Sequence, residues 1–236
     1  MRKYLFLSCL VLLVALSAFY YAFEQGYFRF NYPFREEFPV QGLDVSHHQG
    51  DIDWQRVDRR DFSFVYMKAT EGGDHTDSDF AGNWREAREA GFIVGAYHFY
   101  TFCRPVEDQI THFTATVPAQ PGTLPPALDL EFGGNCKKRP EEATLKADLL
   151  RFSAAIEEKY GVKPLLYMTR AFYDTYHMAY FPAHPVWFRN IFFRPSRDVA
   201  WSYWQFANRG RVDGIPKVVD LNVFRGSRLE FLETLQ

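Results

Sequence analysis

The chain has 236 residues, 47% apolar and 24% charged, enough for one full core in a single domain or a barrel behind a short leader. A formal net charge of −2 offers no basic surface for a phosphate backbone and argues against nucleic acid as a partner. Aromatic residues reach 18%, which core filling explains by default and stacking on apolar sugar faces explains in part.

Met1, Arg2 and Lys3 form a positive start, and residues 4–23 carry no charge. A run of that length spans the hydrocarbon core of a bilayer as a helix. Ala15 and Ser17 offer a signal cleavage site, whereas Phe19, Tyr20 and Tyr21 read as an interfacial aromatic belt. An uncleaved membrane anchor over residues 1–23 is therefore favoured over a cleaved signal. Either way the remainder lies outside the cytoplasm, anchored in the inner membrane facing the periplasm or secreted. Residues 24–40 are polar, aromatic and irregular, and read as a linker.

From residue 41 to 236 short apolar runs alternate with amphipathic segments. Buried strands are predicted at 42–46, 62–70, 92–100, 125–131 and 164–169. Helices are predicted at 78–91, stopped by Gly91, and at 140–161, where Leu145, Leu149, Phe152 and Ile156 make one stripe. Beyond Tyr180 the helices thin out, and the region around Trp187, then 201–208 and 218–224, read as strands joined by loops. Eight strands, the first five with helical crossovers, make one α/β barrel the economical reading.

In a parallel barrel reactive groups gather at the C-terminal strand ends. Asp44 falls near the end of the first strand and Asp129 and Glu131 at the end of the fourth, and Asp220 lies on the last strand. Asp129 and Glu131 are two apart, so they share a face, with Leu128 and Leu130 turned to the covering helices. Two carboxylates that close cannot both ionise freely, and the one with the raised pKa becomes a general acid near neutrality. Paired acids are what glycoside hydrolysis needs. The plain alternative is an ion pair with a neighbouring Lys or Arg.

The run G-L-D-V-S-H-H-Q-G-D-I-D-W at 42–54 resembles the opening motif of glycoside hydrolase family 25, the lysozymes called N-acetylmuramidases. F-V-Y-M-K-A-T-E-G (64–72), G-A-Y-H-F-Y (95–100), P-A-L-D-L-E (126–131), L-L-Y-M-T (165–169), W-Q-F (204–206) and V-D-L-N (219–222) continue it in family order. The resemblance implies a single flattened TIM-like barrel, (β/α)5 followed by a β-rich (β)3 portion. It also implies cleavage of the β-1,4 bond between N-acetylmuramic acid and N-acetylglucosamine in peptidoglycan, by a monomer without cofactor or metal. Carried over by position, Glu131 is the general acid, Asp129 orients the sugar N-acetyl group, and Asp44 and Asp220 complete an acidic floor. Tyr66, Lys68, Glu71, Tyr97, His98, Tyr167, Trp187 and Gln205 are expected to line the sugar groove. One block departs from the family pattern: in P-V-W-F-R-N-I-F (185–192) Trp187 keeps its place, but Arg189 and Asn190 follow in a different order.

His47 and His48 raise a metal site as an alternative, but adjacent strand residues point to opposite faces, so at most one joins His98. Hydrogen-bonded groups at the barrel rim are the preferred reading. Lys68 with Glu71 has a plain reading as charge neutralisation. Trp187, Trp201 and Trp204 divide evenly between core and sugar stacking. Cys9 lies in the leader, whereas Cys103 and Cys136 follow adjacent strands and make a plausible disulfide in an oxidising compartment. Two rival classes are a non-catalytic wall-binding module, opposed by the intact acids, and a zinc amidase, opposed by the ligand count.

Overall fold

A computed structural model describes residues 2–134, 136–181 and 183–236. Helix α1 (Arg2–Glu24) has no buried residue, and its length and apolar composition suffice to cross a membrane. The barrel strands are β1 (Gln41–Val45), β2 (Phe64–Glu71), β4 (Ile93–Phe99), β5 (Ala127–Leu130), β6 (Leu165–Thr169), β7 (Val186–Arg189), β8 (Tyr203–Gly210) and β9 (Val219–Phe224). A two-residue strand β3 (His75–Thr76) hairpins onto β2 outside the ring. The sheet order β1-β9-β8-β7-β6-β5-β4-β2 closes through a β1–β2 pairing. Pairings are parallel except β8–β9 and β9–β1. This is the expected eight-stranded α/β barrel with a β-rich final portion.

Helices α2 (Phe80–Glu89), α3 (Val106–Thr116), α4 (Glu142–Tyr160) and the short α5 (Arg170–Thr175) follow β2, β4, β5 and β6 in chain order. The β1–β2 crossover departs from expectation. It contains a 3₁₀ turn at His47–Gln49, capped by Ser46 in a reciprocal box with Gln49, but no α-helix. A short α6 (Arg228–Leu232), capped by Ser227, ends the fold.

Two apolar cores follow from the period-2 alternation of the strands. Leu43, Val65, Met67, Val94, Leu128, Leu130, Leu166 and Phe188 point outward against the helices, where they meet Phe113, Leu149, Phe152 and Ile156. Phe64, Tyr66, Tyr203, Trp187, Phe224 and Phe231 fill the interior below the rim. Glycines on the inward face make room for these rings. A Cβ on Gly42 would sit 2.5 Å from the Phe64 ring, and one on Gly95 2.5 Å from Tyr66. Interior filling of this kind accounts for much of the aromatic content.

Residues 25–40 form no helix or strand and pack on the barrel. Asn31 Nδ2 donates to the carbonyls of Ile191 (2.7 Å) and Phe206 (3.3 Å). Arg35 grips the Arg60 and Asp61 carbonyls and the Asp61 carboxylate, while Phe38 and Val40 are buried.

Candidate active site

At the C-terminal rim the strands enclose a cavity of about 320 Å³. Asp44, Lys68, Tyr97, Asp129, Glu131, Tyr167, Trp187, Gln205 and Asp220 line it, each from an inward strand position or the residue just beyond a strand. Nine of the twelve residues named from sequence thus meet in one place.

Three do not, each for a reason of strand geometry. His98 follows inward-facing Tyr97 and therefore points outward, fully buried beneath α3 and α4. Thr70 Oγ1 lies 2.7 Å from its Nδ1 and Gln109 Oε1 3.1 Å from its Nε2, and burial pushes its pKa down to about 3. It is a neutral core histidine, remote in role from the groove and from His47 and His48. Tyr66 does face inward but one layer too deep: its hydroxyl donates to Pro125 O, and its ring lies 4.9 Å beneath that of Trp187. Glu71 sits at the outer lip. Residues three apart in a regular strand face opposite ways, but the pairing of β2 with β4 slips between Lys68 and Thr70. That irregularity lets Lys68 Nζ reach Glu71 Oε2 at 2.6 Å while lying 4.9 Å from the Phe99 ring centroid. Trp201 and Trp204 belong to the outer core.

Sequence reasoning passed over Gln49, Phe99 and Asn208 as lining residues, placed His48 at the rim without a part in the groove, and noted Arg189 only as a departure from the family pattern. Arg189 ends β7 and projects into the cavity. Its burial opposes the charge, but Tyr167, Glu131, Asp220 and Asp44 together hold the proton on. His47 makes a rim contact, its Nδ1 2.7 Å from Asp77 Oδ2. Cys103 and Cys136 are joined, Cα to Cα 5.8 Å, tying the loops after β4 and β5 above the rim.

The four acids have different surroundings. Asp44 Oδ2 accepts from Asn222 Nδ2 (2.7 Å) and Gln205 Nε2 (2.9 Å). Those amides are themselves fixed, because Trp187 Nε1 donates to Asn222 Oδ1 (2.8 Å) and Tyr167 to Gln205 Oε1 (3.1 Å). Burial raises the Asp44 pKa, and these donors draw it back down. Asp220 lies directly across the β1–β9 ladder from Asp44. Burial and then the Asp44 charge hold its pKa well above the usual carboxylate range. Asp129 is likewise pushed well up, by burial, then by Glu131 and Asp44, and its Oδ1 is buried with no hydrogen-bond partner among the described residues. Burial also raises Glu131, with Arg189 pulling the other way.

One acid is clamped by amides, one faces it across a ladder, one presents a buried oxygen with no hydrogen-bond partner among the described residues, and one is raised by burial against the pull of Arg189. Four acids gathered on an α/β barrel rim are the arrangement that glycoside hydrolysis calls for. The chain belongs to glycosyl hydrolases family 25, which it matches over residues 43–215. It resembles a family 25 glycosyl hydrolase from Bacillus anthracis, with TM-score 0.82 and 34% identity over 89% of this chain and 98% of that one. A bacterial lysozyme from Streptomyces coelicolor superposes with TM-score 0.74 at 30% identity, covering 83% of this chain and 96% of that chain. Lysozyme M1 of Streptomyces globisporus is 32% identical over 212 residues, which are 82% of this chain and 70% of that protein. The chain is accordingly a lysozyme-type glycoside hydrolase, and its substrate class is peptidoglycan.

Proposed function

We propose that the enzyme is an N-acetylmuramidase that cuts the β-1,4 bond between N-acetylmuramic acid and N-acetylglucosamine with net retention. In this reading the substrate's own acetamido oxygen attacks the anomeric carbon. Glu131 gives its proton to the leaving oxygen as that bond breaks, and an oxazolinium forms. Glu131, now a carboxylate, takes a proton from water as the water opens the oxazolinium. Asp129 accepts a hydrogen bond from the acetamide N–H throughout and so aims its oxygen.

The observation that carries this reading is the buried Asp129 Oδ1 with no partner, in the same cavity as the Glu131 carboxyl. A buried acceptor left unpaired costs about 1–3 kcal/mol, and an arriving amide N–H relieves it. An inverting scheme needs Asp44 or Asp220 as a free base. Asp44 Oδ2 is held by two amide donors, and burial together with Asp44 raises the Asp220 pKa, which favours the retaining reading over an inverting one.

NMR of a purified peptidoglycan digest at early time tests the scheme. The first-formed product is expected to be the β anomer at a new N-acetylmuramic acid reducing end. An initial α anomer would exclude substrate assistance, and freed amines without reducing ends would replace the glycosidase by an amidase.

We further infer that α1 is retained as an inner-membrane anchor that holds the barrel on the periplasmic side. The charge-free run, the basic residues before it and the aromatic residues at its end support this. Recovery in the membrane fraction of a chain with its intact N-terminal mass is expected, whereas a soluble chain lacking about 20 residues would identify a cleaved signal.

A further inference from the structure

We infer that the β7–β8 connection is a second membrane contact, through which Phe192 and Phe193 enter the interfacial layer of the bilayer beside α1. The inference rests on the reading of α1 as a retained anchor.

The two rings are 53% and 73% exposed at the tip of a turn held by Asn190, whose Oδ1 accepts from both of their backbone N–H groups. Large exposed aromatics clustered in one place mark an interaction surface. Their place relative to α1 identifies the partner. After α1 the chain turns at Gly26 and runs back along the helix, so that Phe28 packs on Phe19 at 4.7 Å and Phe30 on Phe23 at 5.3 Å between ring centroids. Phe30 in turn meets Phe192 at 5.0 Å. Phe19 lies about 7 Å of helix rise below Glu24, so this ladder of rings puts Phe192 level with the last turns of the anchor. That is the depth at which aromatic side chains settle in a bilayer.

The charges agree with a lipid surface. Arg209 Nη2 bonds Glu24 Oε1 at 2.8 Å and its guanidinium lies 5.7 Å from the Phe23 ring. Arg211 donates to Gln25 O at 3.1 Å and lies over Tyr27 at 4.9 Å. Arg209 spends its charge on Glu24, and Arg211, stacked on Tyr27 at the helix exit, is the cation that suits an anionic phospholipid headgroup. Arg209 follows Asn208, a lining residue of the cavity, and Phe192 is three residues past Arg189. The surface therefore fixes the catalytic rim, and not the opposite end of the barrel, next to the membrane.

The test uses full-length chain with Cys9→Ser, reconstituted in vesicles of phosphatidylethanolamine and phosphatidylglycerol. A spin label is placed by Leu13→Cys, Phe193→Cys or Glu89→Cys, the last exposed on α2 across the barrel. Collision with membrane-dissolved oxygen is compared with collision with a water-soluble nickel chelate. Labels at 13 and 193 are expected to favour oxygen several-fold over the label at 89. Label 13 in lipid with label 193 as nickel-accessible as label 89 would overturn the docking surface and leave the anchor intact. Label 193 shielded from both reagents would reveal a protein contact and overturn it as well. Label 13 in water would overturn anchor and docking together.

Discussion

Glu131 lies two residues beyond Asp129, just past the end of β5, and its closeness adds to burial in raising the Asp129 pKa. The two acids are thus not interchangeable: Asp129 is the more enclosed, with an Oδ1 that has no hydrogen-bond partner among the described residues, while Arg189 pulls on both.

Removing the Glu131 proton should remove the chemistry and spare the fold. Glu131→Gln is expected to keep the wild-type circular dichroism and melting curve while losing about 10²–10⁴ in turnover of purified peptidoglycan. Turnover near wild type would take Glu131 out of the acid role.

Arg189 sets where the acid fails. Its charge lowers the Glu131 pKa that burial has raised, and a general acid is lost as pH rises through its pKa. Arg189→Met should therefore move the alkaline limb of kcat/KM to higher pH, and Arg189→Lys should bring it back toward wild type. A limb that stays put or moves down contradicts the assignment.

Asp129 costs stability at neutral pH. Its folded pKa is raised well above its unfolded value, so stability is whole below the unfolded pKa and falls as pH climbs through the folded one. Asp129→Asn is expected to melt above wild type at pH 7, by about 2–4 °C for each kcal/mol relieved. The advantage should vanish toward about pH 4, where the unfolded carboxyl also holds its proton. A mutant that melts below wild type across this range would remove the argument, and undiminished catalysis would remove Asp129 from the acetamide.

The Cys103–Cys136 bond closes a loop with a sequence separation of 33. Replacing both cysteines by serine should cost about 2–4 kcal/mol, seen as a drop in the melting temperature of the non-reduced enzyme. Denatured, unreduced wild type should present one thiol, that of Cys9. Three thiols would mean the bridge is absent in solution.

Much of this was legible because strands and acids announce themselves by period. Asp44, Asp129 and Asp220 sit among residues whose outward partners are apolar, so inward orientation follows from alternation. The same rule, applied consistently, separates Tyr97 from His98, since neighbours in a strand cannot both face the cavity. Depth and irregularity were less legible. No spacing reveals that Tyr66 lies a layer below the floor, or that the β2 register slip turns Glu71 toward Lys68. The β1–β2 crossover reads as one more βα unit by analogy with its neighbours, yet the His-His-Gln turn capped by Ser46 takes the place of a helix. Asn222 was quoted within a motif, but its grip on Asp44 depends on a cross-strand contact that a linear reading does not contain.

The way residues 25–40 lie on the barrel bears on geography. Fully extended, that stretch would reach roughly 50 Å and let the catalytic head roam through the wall. Bound down by Asn31, Arg35, Phe38 and Val40, it works as a bracket and gives no leash. If α1 is retained as proposed, an enzyme built this way would trim at one fixed height. It would sweep sideways with the lipid, and the strands within its reach would be those laid down closest to the bilayer.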